Sequence, residues 1–127
     1  MMTTDLTSVS LAVSMDSIRQ YAEITDDYNP LHLDEAFAAT TPMKGVIAHG
    51  TMSLSLIWQS LTATFGIDQI KDISVTIRFK KPVRPGDSLT ARGTLIDGKP
   101  NTYNVWVENQ NGDHVIEGKA DVKAASA

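Results

Sequence analysis

Apolar and polar residues alternate across positions 7–13, with Val9, Leu11 and Val13 on one side, and this period of two predicts a short strand. The period then lengthens. Ser14 offers a helix cap, Asp16 falls in the first turn, and Ile18, Tyr21 and Ala22 share a helical face. Asp34 can cap a second short helix from Glu35 to Thr40, with Pro42 just beyond. The longest helical pattern runs over residues 50–65. Leu54, Ile57, Trp58, Leu61 and Phe65 form its stripe, while Met52, Leu56 and Ala63 fall elsewhere around the wheel. So wide an apolar surface predicts a helix buried on most sides. Gly66 is its expected terminator.

Alternation returns at Ile73, Val75, Ile77 and Phe79, then breaks at Pro82, Pro85 and Gly86. Three more strands follow, around Leu89 to Leu95, around Tyr103 to Val107, and from His114 to Val122, separated by the turn-rich stretches DGKPN and NQNGD. Short turns between these three make an antiparallel meander the expected topology. The central helix is too apolar to lie on a surface, and a long sheet curling around it would bury it. The predicted class is α+β, as one domain spanning residues 1–127.

Composition narrows the partners. A net charge of −4 argues against a nucleic-acid binder driven by phosphate contacts. The chain has no cysteine, which removes disulfides, thiolate nucleophiles and cysteine-held zinc. The first fifteen residues have no basic, then apolar, leader pattern, and no stretch reaches the ~20 apolar residues that cross a bilayer. No membrane partner and a cytoplasmic location are expected.

The unusual chemistry lies in "DDYNPLHLDEAF", residues 26–37. Asp27 and His32 are five residues apart, which is not the spacing of one helix face, so a turn has to bring them together. Pro30 fixes its own φ and holds Asn29 extended, and the asparagine side chain can tie down the turn. Taken alone, Asp27 reads as a turn carboxylate and His32 as a structural histidine. Asp34 reads as a helix cap. His49 can touch a ligand or pack under the start of the long helix. His32, Asp34 and His49 could supply three metal donors, but their spacing matches no metal pattern, and no metal is expected. Ser53 and Ser55 lie in no nucleophile elbow.

The run "ITDDYNPLHLDEAFAATTPMKGVIAHGTMSLSLI" resembles the hydratase motif of the MaoC-like, (R)-specific enoyl-CoA hydratases. The matching features are Asp27, Asn29, Pro30, His32 and Asp34, then Ala38, then Ile47-Ala48-His49-Gly50; "IRFKKPVRPGD", residues 77–87, resembles the strand and turn that follow. The resemblance implies a hot-dog fold and a homodimer or larger assembly. It implies reversible addition of water to trans-2-enoyl thioesters to give (R)-3-hydroxyacyl products. It places the catalytic pair on Asp27 and His32 and an oxyanion-binding amide on Gly50; Asn29, more a turn residue than a catalyst, and His49 are the further candidates for substrate contact.

That chemistry needs a base against water and a charge sink at the thioester oxygen. A carboxylate and an imidazole supply the first, typically worth ~10²–10⁴-fold. Unpaired amides at a helix start supply the second. Arg78, Lys80, Lys81 and Arg84 are candidates for the CoA phosphates, or simply a solvated strand face. Trp58 could shorten the acyl pocket or belong to the core. No cofactor is expected, because the CoA thioester is the substrate. An acyl-CoA thioesterase on the same fold and a non-catalytic acyl-thioester-binding module are the alternatives.

Overall fold

A computed structural model describes residues 4–123. Strand β1 (Val9–Ala12) leads into α1 (Met15–Thr25), and two short helical pieces follow, α2 (Pro30–Leu33) and α3 (Glu35–Ala39). Helix α4 (Gly50–Phe65) comes next, then a 3-10 stretch over Ile67–Asp72. Strands β2 (Ile73–Phe79), β3 (Ser88–Leu95), β4 (Thr102–Glu108) and β5 (His114–Val122) complete the fold.

Local chemistry sets most of these boundaries. Ser14 caps α1, and Ser14 and Ser17 exchange side-chain to backbone hydrogen bonds in a reciprocal box. The Asp34 carboxylate accepts the Phe37 amide at 3.0 Å and so starts α3. Gly66, at φ 90°, ends α4. The 3-10 stretch has no apolar period, and the four-residue α2 is too short to show one.

All five strands form one antiparallel sheet in the order β1-β3-β4-β5-β2. The meander β3-β4-β5 is as the turns predict. The outer pairings, β1 on β3 and β2 on β5, are long-range, and they leave β1 and β2 as the edges. Gly118 lets β2 come close: a Cβ there would lie 2.1 Å from the Thr76 carbonyl oxygen.

Helix α4 supplies the centre of the core, which it shares with Leu89, Tyr103, Val105, Val107 and Ile116 from the sheet. A long helix held against a curled antiparallel sheet is the hot-dog arrangement. The most buried stripe of α4 is rotated from the one the sequence predicts. It runs Met52, Ser53, Leu56, Ile57, Ser60 and Leu61, so two serines face inward. Trp58 is half-buried against this core. Among the described residues no helix is long and apolar enough to cross a membrane.

Candidate active site

The end of α1 aims the first residue of the site. Asp26 adopts the left-handed conformation at φ 54°, and its amide returns to the Ala22 carbonyl. Aspartate tolerates this conformation better than most residues. The Asp27 amide joins the same carbonyl at 3.1 Å. Two side-chain turns follow in series. The Asn29 amide donates to the Asp27 carboxylate at 3.3 Å, and the Leu31 amide donates to the Asn29 side chain at 3.0 Å. Pro30 occupies the first position of α2, where its missing N–H costs nothing.

This turn places His32 on the segment that leads into α4. Its Nδ1 lies 2.7 Å from the Ile47 carbonyl. A carbonyl only accepts, so Nδ1 carries the proton and the neutral ring presents a basic lone pair at Nε2. The His49 ring stacks on His32, with centroids 3.9 Å apart. His49 Nε2 donates to the backbone carbonyl of Asp27 at 3.0 Å. One buried imidazole thus ties the Asp27 backbone to the start of α4 and supports His32 from behind. The Tyr21 ring lies tilted against His49, with centroids 5.1 Å apart, and its hydroxyl bonds Thr51 at 2.8 Å.

The outcome is a cluster. Asp27, His32 and His49 each bring one side-chain polar atom within 4.8 Å of the others. Asp27 is exposed, His32 half-buried and His49 buried. Such a separation suits one water molecule held between a carboxylate and an imidazole. The same three groups are a donor set that could hold a cation. The trio that the sequence suggests is different, and the reason is plain: Asp34 spends its carboxylate on the α3 cap.

A cavity of about 320 Å³ opens beside this cluster, lined by His32, Gly50, Ser53, Phe79, Lys80 and Lys81 among others. No side chain caps α4; the Met52 amide turns back to the His49 carbonyl at 3.1 Å, and Gly50, at the helix start, lines the cavity. Phe79 is 58% exposed, yet its ring lies so close to Gly50 that an added Cβ would sit 2.8 Å from Cε1. Any side chain at position 50 would have to displace that ring, whereas glycine leaves the helix tip open beside it.

The remaining expected residues are dispersed. Asn29 holds its own turn. Lys80 and Lys81 line the cavity, with ion pairs to Glu117 at 3.9 Å and Asp113 at 3.1 Å. Arg78 lies on the outer face of the sheet and pairs with Glu117 at 3.8 Å. Arg84 is spent on structure: its guanidinium donates to the Met43 and Val46 carbonyls and holds that loop. The four cations therefore do not form one patch. Trp58 does not line this cavity.

A larger groove of about 540 Å³ crosses the outer sheet face over Trp106, His114 and Glu117. Its carboxylate is committed to His114 at 2.9 Å and to flanking cations, and no helix start points at it. The imidazole and the helix start lie together only at the smaller of these two cavities.

These features define a hot-dog domain in which an imidazole and a helix start line one cavity, with a carboxylate within 4.8 Å of the imidazole. The chain belongs to the MaoC-like domain family, whose sequence profile matches residues 3–125. It is 34% identical to the (R)-specific enoyl-CoA hydratase of Aeromonas caviae, over 84% of this chain and 82% of that protein. It is 43% identical to the 3-hydroxybutyryl-CoA dehydratase of Methylorubrum extorquens, over 59% of this chain and 48% of that protein; the matched stretch is about half of that relative. The unliganded R-hydratase of Pseudomonas aeruginosa superposes with a TM-score of 0.78 at 29% identity, covering 95% of this chain and 79% of that one.

Proposed function

We propose that the protein is a hydro-lyase that adds water reversibly to trans-2-enoyl-CoA and gives (R)-3-hydroxyacyl-CoA. The observation that carries this reading is the meeting of Asp27 with His32, which itself lines a cavity shared with the start of α4. The named activities of the relatives support it, and so does the match of the motif residues.

In this reading His32 Nε2 and the Asp27 carboxylate hold one water molecule. Its oxygen bonds to C3, and the pair accepts the proton it loses. The C2–C3 π electrons move toward C1, and the thioester oxygen takes up the charge. The Gly50 amide and the positive end of α4 stabilise that oxygen. The pair then delivers one proton to C2, so that a hydrogen and a hydroxyl have been added in sum. His49 is a positioning residue that holds His32 and Asp27 in register. Lys80 and Lys81, at the mouth, suit the CoA phosphates better than Arg78 or Arg84 do.

The proposal extends to assembly as a homodimer. Strand β2 is an unpaired edge, a hazard for a monomer. Phe79 and, in the turn feeding β2, Ile67 are 58% and 73% exposed.

Mixing the protein with crotonyl-CoA and following loss of the enoyl absorbance tests the reaction. Asp27→Asn should lower kcat by ~10²-fold or more, with folding and thioester binding retained. Wild-type protein that turns over no short, medium or branched enoyl-CoA would overturn the hydratase reading. Release of free thiol instead would mark a thioesterase.

A further inference from the structure

Helix α4 carries six hydroxyl side chains, and five are engaged. Ser55 donates to the Met52 carbonyl at 2.6 Å, Thr62 to Trp58 at 2.8 Å and Thr64 to Ser60 at 2.7 Å. Ser60 donates to the Thr7 carbonyl, and Thr51 bonds the Tyr21 hydroxyl at 2.8 Å. Ser53 differs. It is 2% exposed, and its Oγ is fully buried with no partner. Buried hydroxyls almost always find one, so an orphan needs a physical reason. The bond that its neighbours make to a carbonyl one turn back is open to it in principle and is not made.

Its position supplies the reason. Ser53 follows Gly50 by three residues, so the two share a face of α4. Side chains on a helix lean toward its amino end, which carries Oγ back toward the Gly50 amide. Ser53, Gly50 and His32 line the same cavity. The hydroxyl is therefore a free donor held out of bulk water, one turn from the helix tip.

We propose that Ser53 Oγ–H is a second donor to the thioester oxygen of the substrate, beside the Gly50 amide. This rests on the hydratase reading above. An enolate oxygen has more lone pairs than one amide can satisfy, and Ser53 Oγ is a buried, unpartnered donor on a residue that lines the same cavity as Gly50. The hydroxyl rotates to the oxygen as charge develops there. A bond that strengthens in the transition state raises kcat more than it lowers KM.

The test is Ser53→Ala, which removes one oxygen atom and leaves Cβ in place. The expected result is a fall in kcat for crotonyl-CoA on the order of 10²-fold, with KM nearly unchanged. The melting temperature should hold or rise, because an unsatisfied buried group has been deleted. A readout that needs no turnover is the acidity of bound acetoacetyl-CoA, followed by the ultraviolet band of its enolate. Wild-type protein should favour the enolate, and Ser53→Ala should shift its titration to higher pH. Ser53→Cys, with its weaker donor, should fall between the two, and it carries the test if the alanine variant does not fold. Wild-type kcat and an unshifted enolate titration in the variant would overturn the proposal and leave the hydratase reading intact. Wild-type protein inert toward enoyl-CoAs would overturn both.

Discussion

Asp27 serves the site with two different groups. Its carboxylate joins the cluster with His32 and His49, while its backbone carbonyl accepts a hydrogen bond from the His49 ring at 3.0 Å. His49 in turn backs His32, whose Nδ1 proton is fixed by Ile47. Changing His49 should therefore act through its neighbours. His49→Ala removes a buried ring and its bond to Asp27, and stability should fall by about 2–4 kcal/mol. Catalysis should fall as well, because His32 loses its support. The contrast with Asp27→Asn is diagnostic: that variant should lose kcat with its melting temperature nearly intact. If thermal unfolding and kinetics show His49→Ala stable but inactive, His49 touches substrate and is not a positioning residue. At this scale the sequence was informative where the chemistry is local. The turn made by Asp27, Asn29 and Pro30 can be read from spacing, because each contact spans only two residues. The roles of His49 and Ser53 cannot, since one depends on a carbonyl 22 residues away and the other on a bond that is missing.

Element boundaries were legible for the same reason, and element partners were not. The alternation over Ile73–Phe79 marks a strand, and nothing in it shows that β5, and not the neighbouring β3, will be its partner. The rotated burial of α4 is a similar case, because the sheet decides which stripe is covered. On the outer face the β2–β5 pairing brings Glu117 to His114, Arg78 and Lys80. The hydrogen bond from His114 first, and then the charges of Lys80, His114 and Arg78, hold the Glu117 carboxyl below its ordinary range. A carboxyl lowered in the folded state binds fewer protons there than in the unfolded chain. Its contribution to stability is thus full above the unfolded pKa and is lost as pH falls through the folded value. The pair is open to solvent, so the effect should be small. Wild-type protein should melt slightly above Glu117→Gln at neutral pH, and the gap should close on acidification below about pH 4. A gap that is constant from neutral to acid pH would mean that the charge of Glu117 contributes nothing to the β2–β5 contact.

For the molecule as a whole, the difficulty is water. Hydration needs one ordered water at the pair, while bulk water weakens every charge interaction around it. In the single chain Asp27 is exposed, and Ile24 and Tyr28 beside it are 81% and 54% exposed. The β2 edge ends at Phe79, the residue that packs on Gly50, so covering that edge would also enclose the mouth of the cavity. A second copy laid along β2 would satisfy the edge hydrogen bonds, bury Phe79 and Ile67, and exclude solvent from the site in one step. Light scattering should then give twice the 13.8 kDa chain mass. Specific activity should fall on dilution as copies separate, faster than the loss of folded structure. Ile67→Lys puts a charge on the apolar rim without touching the groups that bind or react. It should shift the mass toward the single chain and lower activity at the same dilution, with activity recovered at high protein concentration. A chain that stays monomeric at every concentration and turns over enoyl-CoA at full rate would show that one copy keeps its own site dry, and the edge would then need another explanation.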